Sequence, residues 1–213
     1  MKSQFLSTLA IGLLFASSTQ ADETLKFDVS KYSQAVTGCD VLAAHADDPL
    51  RVSPGLSKSQ MDLPAAIAAC QVAVARDPSN PRLNYQLGRV YGYSGQGEKA
   101  VPYRDVALAT DYPQALFVYG LLHLTGMNKA TKDPCLAGEL VRRSALYGRI
   151  AGQIGFPFWS LKGEFKGCAV KQDLEEMQRF LAAADQQTSD FYQETAIEQL
   201  QDKIKARMGK QKK

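Results

Sequence analysis

The stretch Asn80-Pro81-Arg82-Leu83-Asn84-Tyr85-Gln86-Leu87-Gly88-Arg89-Val90-Tyr91, continued by Gly95, Glu98-Lys99-Ala100 and Ala107, decides the architecture. A small residue at Gly88 lets a second helix approach, and Tyr91 fills the space one turn later. Ala100 and Ala107, one turn-pair apart, form the close-packed seam of that second helix. Ala66 and Ala73 stand one 34-residue period earlier, and a fixed period of that length marks stacked helical hairpins. Asp77-Pro78 ends the earlier helix, as proline does just past a helix terminus.

The rhythm continues downstream. Tyr112-Pro113-Gln114-Ala115-Leu116-Phe117-Val118-Tyr119-Gly120, followed by His123 and Gly126, repeats the alternation of small and large residues. Asp133-Pro134-Cys135 opens a further helix, with Asp133 as cap and Pro134 in the first helical position. That helix runs through Leu136, Leu140, Val141 and Ala145 to a break at Gly148. Its expected partner, residues 151–163, carries Ile154, Phe158, Trp159 and Leu161, and the two form the third helix pair. Leu174, Met177, Phe180, Leu181 and Ala184 have helical spacing, as do Ala196, Ile197, Leu200 and Ile204. These two helices are expected to cap the array by covering its last apolar face. The fold class expected is therefore all-α: a short α-solenoid of antiparallel helix hairpins with a C-terminal helical cap.

Residues 62–165 resemble tetratricopeptide repeats and their Sel-one-like relatives. The resemblance rests on Leu87-Gly88 with Tyr91, on Ala115, Gly120 and Gly126, and on Ala137, Arg143-Ser144-Ala145 and Gly148. The segment from Cys39 through Asp48-Pro49-Leu50-Arg51 to Ala66 and Cys70 also looks like the start of exported proteins with such repeats. Phe156-Pro157 departs from the family's usual Leu-Gly. The resemblance implies a protein that binds another protein or peptide through the concave face of the array and catalyses nothing. Tyr85, Arg89 and Tyr93, on the first helix of the clearest repeat, are the binding residues expected there. Cysteine-rich exported members of the family are associated with β-lactam binding or hydrolysis, which gives the alternative reading of a weak hydrolase. In that group the cysteines recur in every repeat at short spacing, and here they do not.

The chain has 213 residues, enough for one domain or a short repeat array. Residues 1–21 have the make-up of a cleaved signal peptide: Lys2, an apolar run from Phe5 to Phe15, and small residues around Thr19-Gln20-Ala21. The run is short of the roughly 20 apolar residues that span a bilayer, so no transmembrane segment is expected in a mature chain starting at Asp22. A periplasmic or secreted location follows. There, Cys39, Cys70, Cys135 and Cys168 are expected as disulfides. Sequential pairing, Cys39 with Cys70 and Cys135 with Cys168, suits separations close to one helical hairpin. Residues 22–38 carry no period and read as a loose lead-in, and residues 46–61 as a polar loop.

A formal charge of +3 gives no basis for nucleic-acid binding. The positive excess sits in the tail from Lys203 to Lys213, with six Lys or Arg and no acid, which leaves the rest of the chain net negative. Each tail base is worth about 1 kcal/mol near an anionic surface, so the tail reads either as a weak contact with such a surface or an acidic partner, or, as is commoner, as a frayed, solvated helix terminus. Metal and cofactor sites are not. Only two histidines exist, and His45 beside Asp47 and Asp48 reads as a loop residue. His123 takes the place of Tyr91. No Gly-x-Ser-x-Gly elbow occurs, and Gly92-Tyr93-Ser94-Gly95-Gln96-Gly97 reads as an inter-helix turn. Glu175 and Glu176 are expected on a polar helical face.

Overall fold

The computed structural model describes residues 25–211, and the expected signal peptide lies outside them. Among the described residues there are nine α-helices and no strand: α1 (Gly38–Ala43), α2 (Leu63–Arg76), α3 (Pro81–Tyr93), α4 (Gly97–Ala109), α5 (Pro113–Thr125), α6 (Pro134–Leu146), α7 (Ile150–Lys162), α8 (Leu174–Asp185) and α9 (Phe191–Gln211). Each packs mainly on its neighbour in sequence, which is the contact pattern of a helical solenoid.

Local chemistry sets the helix starts. Asp62, Asn80, Asp133 and Asp173 accept backbone N–H groups at the starts of α2, α3, α6 and α8, and Pro81, Pro113 and Pro134 occupy first helical positions. Close approach is set by glycine. A Cβ on Gly88 would sit 2.7 Å from the Tyr119 hydroxyl of α5, and one on Gly152 would sit 2.7 Å from the Ala145 backbone nitrogen of α6. The closest hairpins are α3–α4 and α5–α6. The helix at Pro134 thus closes a hairpin with α5, and the pairing of α6 with α7 is the contact between successive units. The eight-residue connection from Gly126 to Asp133 hides this pairing in the sequence, whereas the short turn at Gly148 imitates a hairpin.

The C-terminal cap forms as expected. Phe156 of α7 stacks on Phe165 with centroids 5.8 Å apart and meets the edge of Phe180 at 6.1 Å. Met177, Leu181, Ala184, Ile197, Leu200 and Ile204 complete this core. Both disulfides have the sequential pairing, Cys39–Cys70 joining α1 to α2 and Cys135–Cys168 joining the start of α6 to the loop after α7. No helix among the described residues is long and apolar enough to cross a membrane.

The segment ahead of α1 is not loose. Leu25 N–H donates to the Leu146 carbonyl, and Phe27 packs against Tyr32 and, edge-on, against Tyr112. Residues 25–61 lie along one side of the array, touching α3, the start of α5 and the end of α6.

Candidate functional site

Two of the three side chains expected to line an open binding face, Tyr85 and Arg89, are used internally. Tyr85 is fully buried and Arg89 is 7% exposed. Arg89 donates to the carbonyls of Ala43, Ala44 and Leu56, at 2.9, 2.8 and 2.7 Å. Its guanidinium also lies 5.1 Å from the half-exposed Tyr93 ring, which Lys58 covers at 5.5 Å. Arg82 holds the same lead-in by pairing with Asp40 at 2.8 Å and donating to Ser33 and Ala35 carbonyls. The expectation of exposure is therefore corrected for Tyr85 and Arg89, while Tyr93 is half-exposed. The chain's own residues 25–61 cover this face, and the arginines of α3 satisfy carbonyl groups that would otherwise be buried unpaired.

An open cleft lies further along, beside α7. A cleft of about 500 Å³ is lined by Asp47, Arg149, Ile150, Ile154, Phe158, Gln187 and Gln193 among others. Arg149, immediately before α7, is 4% exposed. Its Nε donates to Gln114 Oε1 at 2.5 Å, and Gln114 Nε2 donates to the Tyr85 hydroxyl at 3.2 Å. The Phe117 ring lies 5.6 Å from the guanidinium carbon. Tyr85 thus acts two bonds away from the cleft: it orients the glutamine that orients the arginine.

Charges around the cleft are unevenly placed. His45 is pushed down to about 4 by burial and by the nearby Arg89 and Arg149 guanidiniums, so it is neutral at physiological pH. Its Nδ1 accepts the Asp47 N–H at 3.0 Å. Asp48 is buried, which raises its carboxyl above the ordinary aspartate value, and it accepts from Tyr112 Oη at 2.7 Å and from Leu50 N–H at 2.9 Å. Burial and the neighbouring Asp48 carboxylate push the Tyr112 hydroxyl well up. Asp47 is the exposed carboxylate on the rim, and no ion pair joins it to Arg149 among the described residues.

Phe158 continues the cleft into a second groove of about 400 Å³, lined by Leu161, Lys162, Lys203, Arg207 and Lys210. Lys162 Nζ sits 4.5 Å from the Phe158 ring, and Arg207 donates to the Leu161 carbonyl at 2.6 Å. Phe158, Phe191 and Tyr192 are exposed aromatics, the last two at the start of α9 beside Gln193, with exposures of 71% and 81%. The basic tail therefore extends α9 as ordered helix as far as Gln211 and lends its first cations to this groove. Lys212 and Lys213 lie outside the described residues.

Other sequence candidates are placed elsewhere. His123 contacts the Thr131 carbonyl, and neither it nor His45 is hydrogen-bonded to a serine hydroxyl among the described residues. Glu176, expected on a polar face, is 1% exposed and takes a bidentate pair from Arg142 at 2.7 and 2.6 Å. Among the described residues no group of three or more His, Cys, Asp or Glu could hold a metal. A larger cleft of about 880 Å³ lies between the lead-in and α2, but its buried polar side chains, Asn80 and Arg82, are already hydrogen-bonded within the chain. No protein-family model, curated protein or solved structure matches this chain.

Proposed function

We propose that the protein is an exported helical-repeat adaptor, of the tetratricopeptide or Sel-one-like kind, that binds a protein or peptide partner and performs no chemistry on it. The observation that carries this reading is the open surface at α7 and α9. It combines exposed aromatics, an apolar wall and a nearly buried cation, the residue types that supply most of the energy at protein interfaces. The two disulfides support a periplasmic or secreted setting, where such bonds persist.

A photo-crosslinking residue placed at Phe158 or Tyr192 tests it, with Val101 on α4 as the control because it is also exposed. The same discrete adduct should form from both α7/α9 positions in the exported fraction and not from Val101. Equal labelling from all three positions would contradict an interface there.

A further inference from the structure

Three features compete for explanation: the apolar cleft beside α2, the lead-in strapped over α3, and the guanidinium of Arg149. The cleft beside α2 has no buried polar group without a partner among the described residues to define what fills it. The lead-in is held by Arg82 and Arg89 at full hydrogen-bond distance, and nothing on its path is strained. Arg149 is different. Its side chain is only 4% exposed and its Nε is committed to Gln114, while its two Nη atoms make no hydrogen bond or ion pair among the described residues and keep contact with solvent where Arg149 lines the cleft.

Burial pulls this guanidinium down and the nearby Asp47 and Asp48 carboxylates offset that in part, but neither forms an ion pair with it among the described residues, whereas a cation this far buried is normally paired directly. Here the side chain is also oriented by the Gln114–Tyr85 chain and by the Phe117 ring. An arginine so fixed presents two parallel N–H donors, the geometry that a carboxylate accepts in bidentate fashion. We propose that Arg149 is the anion-recognising residue of this cleft and takes a carboxylate of an acidic peptide segment. Neighbouring apolar side chains of that segment lie on Ile154 and Phe158, and its further acids face Lys162, Lys203 and Lys210. This deepens the proposed function and rests on it only for the peptide nature of the ligand.

The charges facing the site favour carboxylate over a doubly charged anion. Asp47 on the rim and Asp48 behind it oppose a second negative charge, His45 is neutral, and Arg89 is turned toward the lead-in carbonyls. The same argument makes Asp47 a weak competitor for Arg149, which gives the site an unusual property: removing this acid strengthens binding of another.

The test follows the Arg149 Nε–Hε resonance in the whole mature protein. The probes are an acetylated, amidated hexapeptide of alternating aspartate and leucine, the same peptide with asparagine for every aspartate, and the asparagine peptide with a free carboxyl terminus. The aspartate peptide should shift the resonance saturably and bind at least about tenfold tighter than its neutral counterpart. Arg149→Lys keeps the charge but loses the fork, and should remove most of that difference. Asp47→Asn, at an exposed position that does not endanger folding, should tighten the aspartate peptide roughly threefold, the size of one exposed charge pair. If the free-terminus peptide binds equally, a chain-terminal carboxylate is the source recognised; if only the aspartate peptide binds, a side chain is. Equal binding of aspartate and asparagine peptides, or unchanged binding in both Arg149→Lys and Asp47→Asn, overturns the assignment. So does a resonance that no carboxylate probe moves. Failure here with the Phe158 cross-link intact in Arg149→Lys overturns the carboxylate site alone. Loss of the position-specific cross-link in the parent protein overturns the adaptor reading instead.

Discussion

Arginine side chains divide the labour of this molecule, and burial decides which does what. Arg82 and Asp40 form a nearly dry pair that ties the lead-in to α3, with exposures of 3% and 0%. Truncating one partner leaves a buried charge alone, so Asp40→Ala should cost about 3–5 kcal/mol in chemical denaturation. Tyr85→Phe removes only the acceptor of the Gln114 amide. It should cost about 0.5–1.5 kcal/mol in stability while broadening the Arg149 Nε–Hε resonance, a signature that a packing role alone would not give. His45 gives a pH effect of defined sign. Its folded-state value is depressed to about 4 from 6.5, so the unfolded chain binds the extra proton in that interval. Its contribution is present above pH 6.5 and is lost as pH falls toward 4. His45→Gln should flatten that part of the stability profile relative to the parent, and a profile parallel to the parent's would count against burial of the imidazole. These roles were hidden in the sequence. Tyr85, Arg89 and Tyr93 read as a binding stripe because nothing in residues 25–61 has the periodicity that would announce a segment packed over them.

Helix elements were more legible, because their signals are local. Asp133 with Pro134, read as a cap and first helical position, marks the start of α6 to the residue, and Asp62, Asn80 and Asp173 cap α2, α3 and α8 by the same local chemistry. Small residues at Gly88, Ala100 and Ala107 mark the seams, and all three are buried at helix contacts. The hairpin register was less legible, since α5–α6 is joined by the longer connection and α6–α7 by the shorter. Gly152 is the sharpest test at this scale. An added methyl would meet backbone and the Ser144 side chain within 2.9 Å, with no flexible group able to yield. Gly152→Ala should therefore destabilise by about 1–3 kcal/mol through overpacking, measured by urea unfolding. Gly95 has nothing near its Cβ position but a φ of +78°, so alanine there tests backbone strain and not packing.

Across the whole molecule, two disulfides and the C-terminal cap close both ends of a solenoid that would otherwise expose apolar helix faces. Loop-closure entropy for separations of 31 and 33 residues gives about 3–4 kcal/mol for each bridge. Replacing Cys39 and Cys70 together by serine should lower unfolding stability by that amount and loosen the lead-in first, seen as faster amide exchange over residues 25–44. The all-helical architecture and the sequential pairing were both readable from spacing, because each is a property of repeat length. The α7 cleft was not, since Asp47 on its rim stands 102 residues ahead of Arg149, and Gln187 and Gln193 on its other side lie beyond a further helix, α8. The lead-in occupies the α3 face, which on our proposal leaves recognition to α7. Hydrogen exchange of the intact chain with and without the aspartate–leucine hexapeptide addresses it directly. Protection confined to residues 149–162 and 187–193, with residues 82–93 unchanged, is the result predicted. Protection spread along α3 together with accelerated exchange in residues 25–61 would contradict it, because the ligand would then be displacing the lead-in.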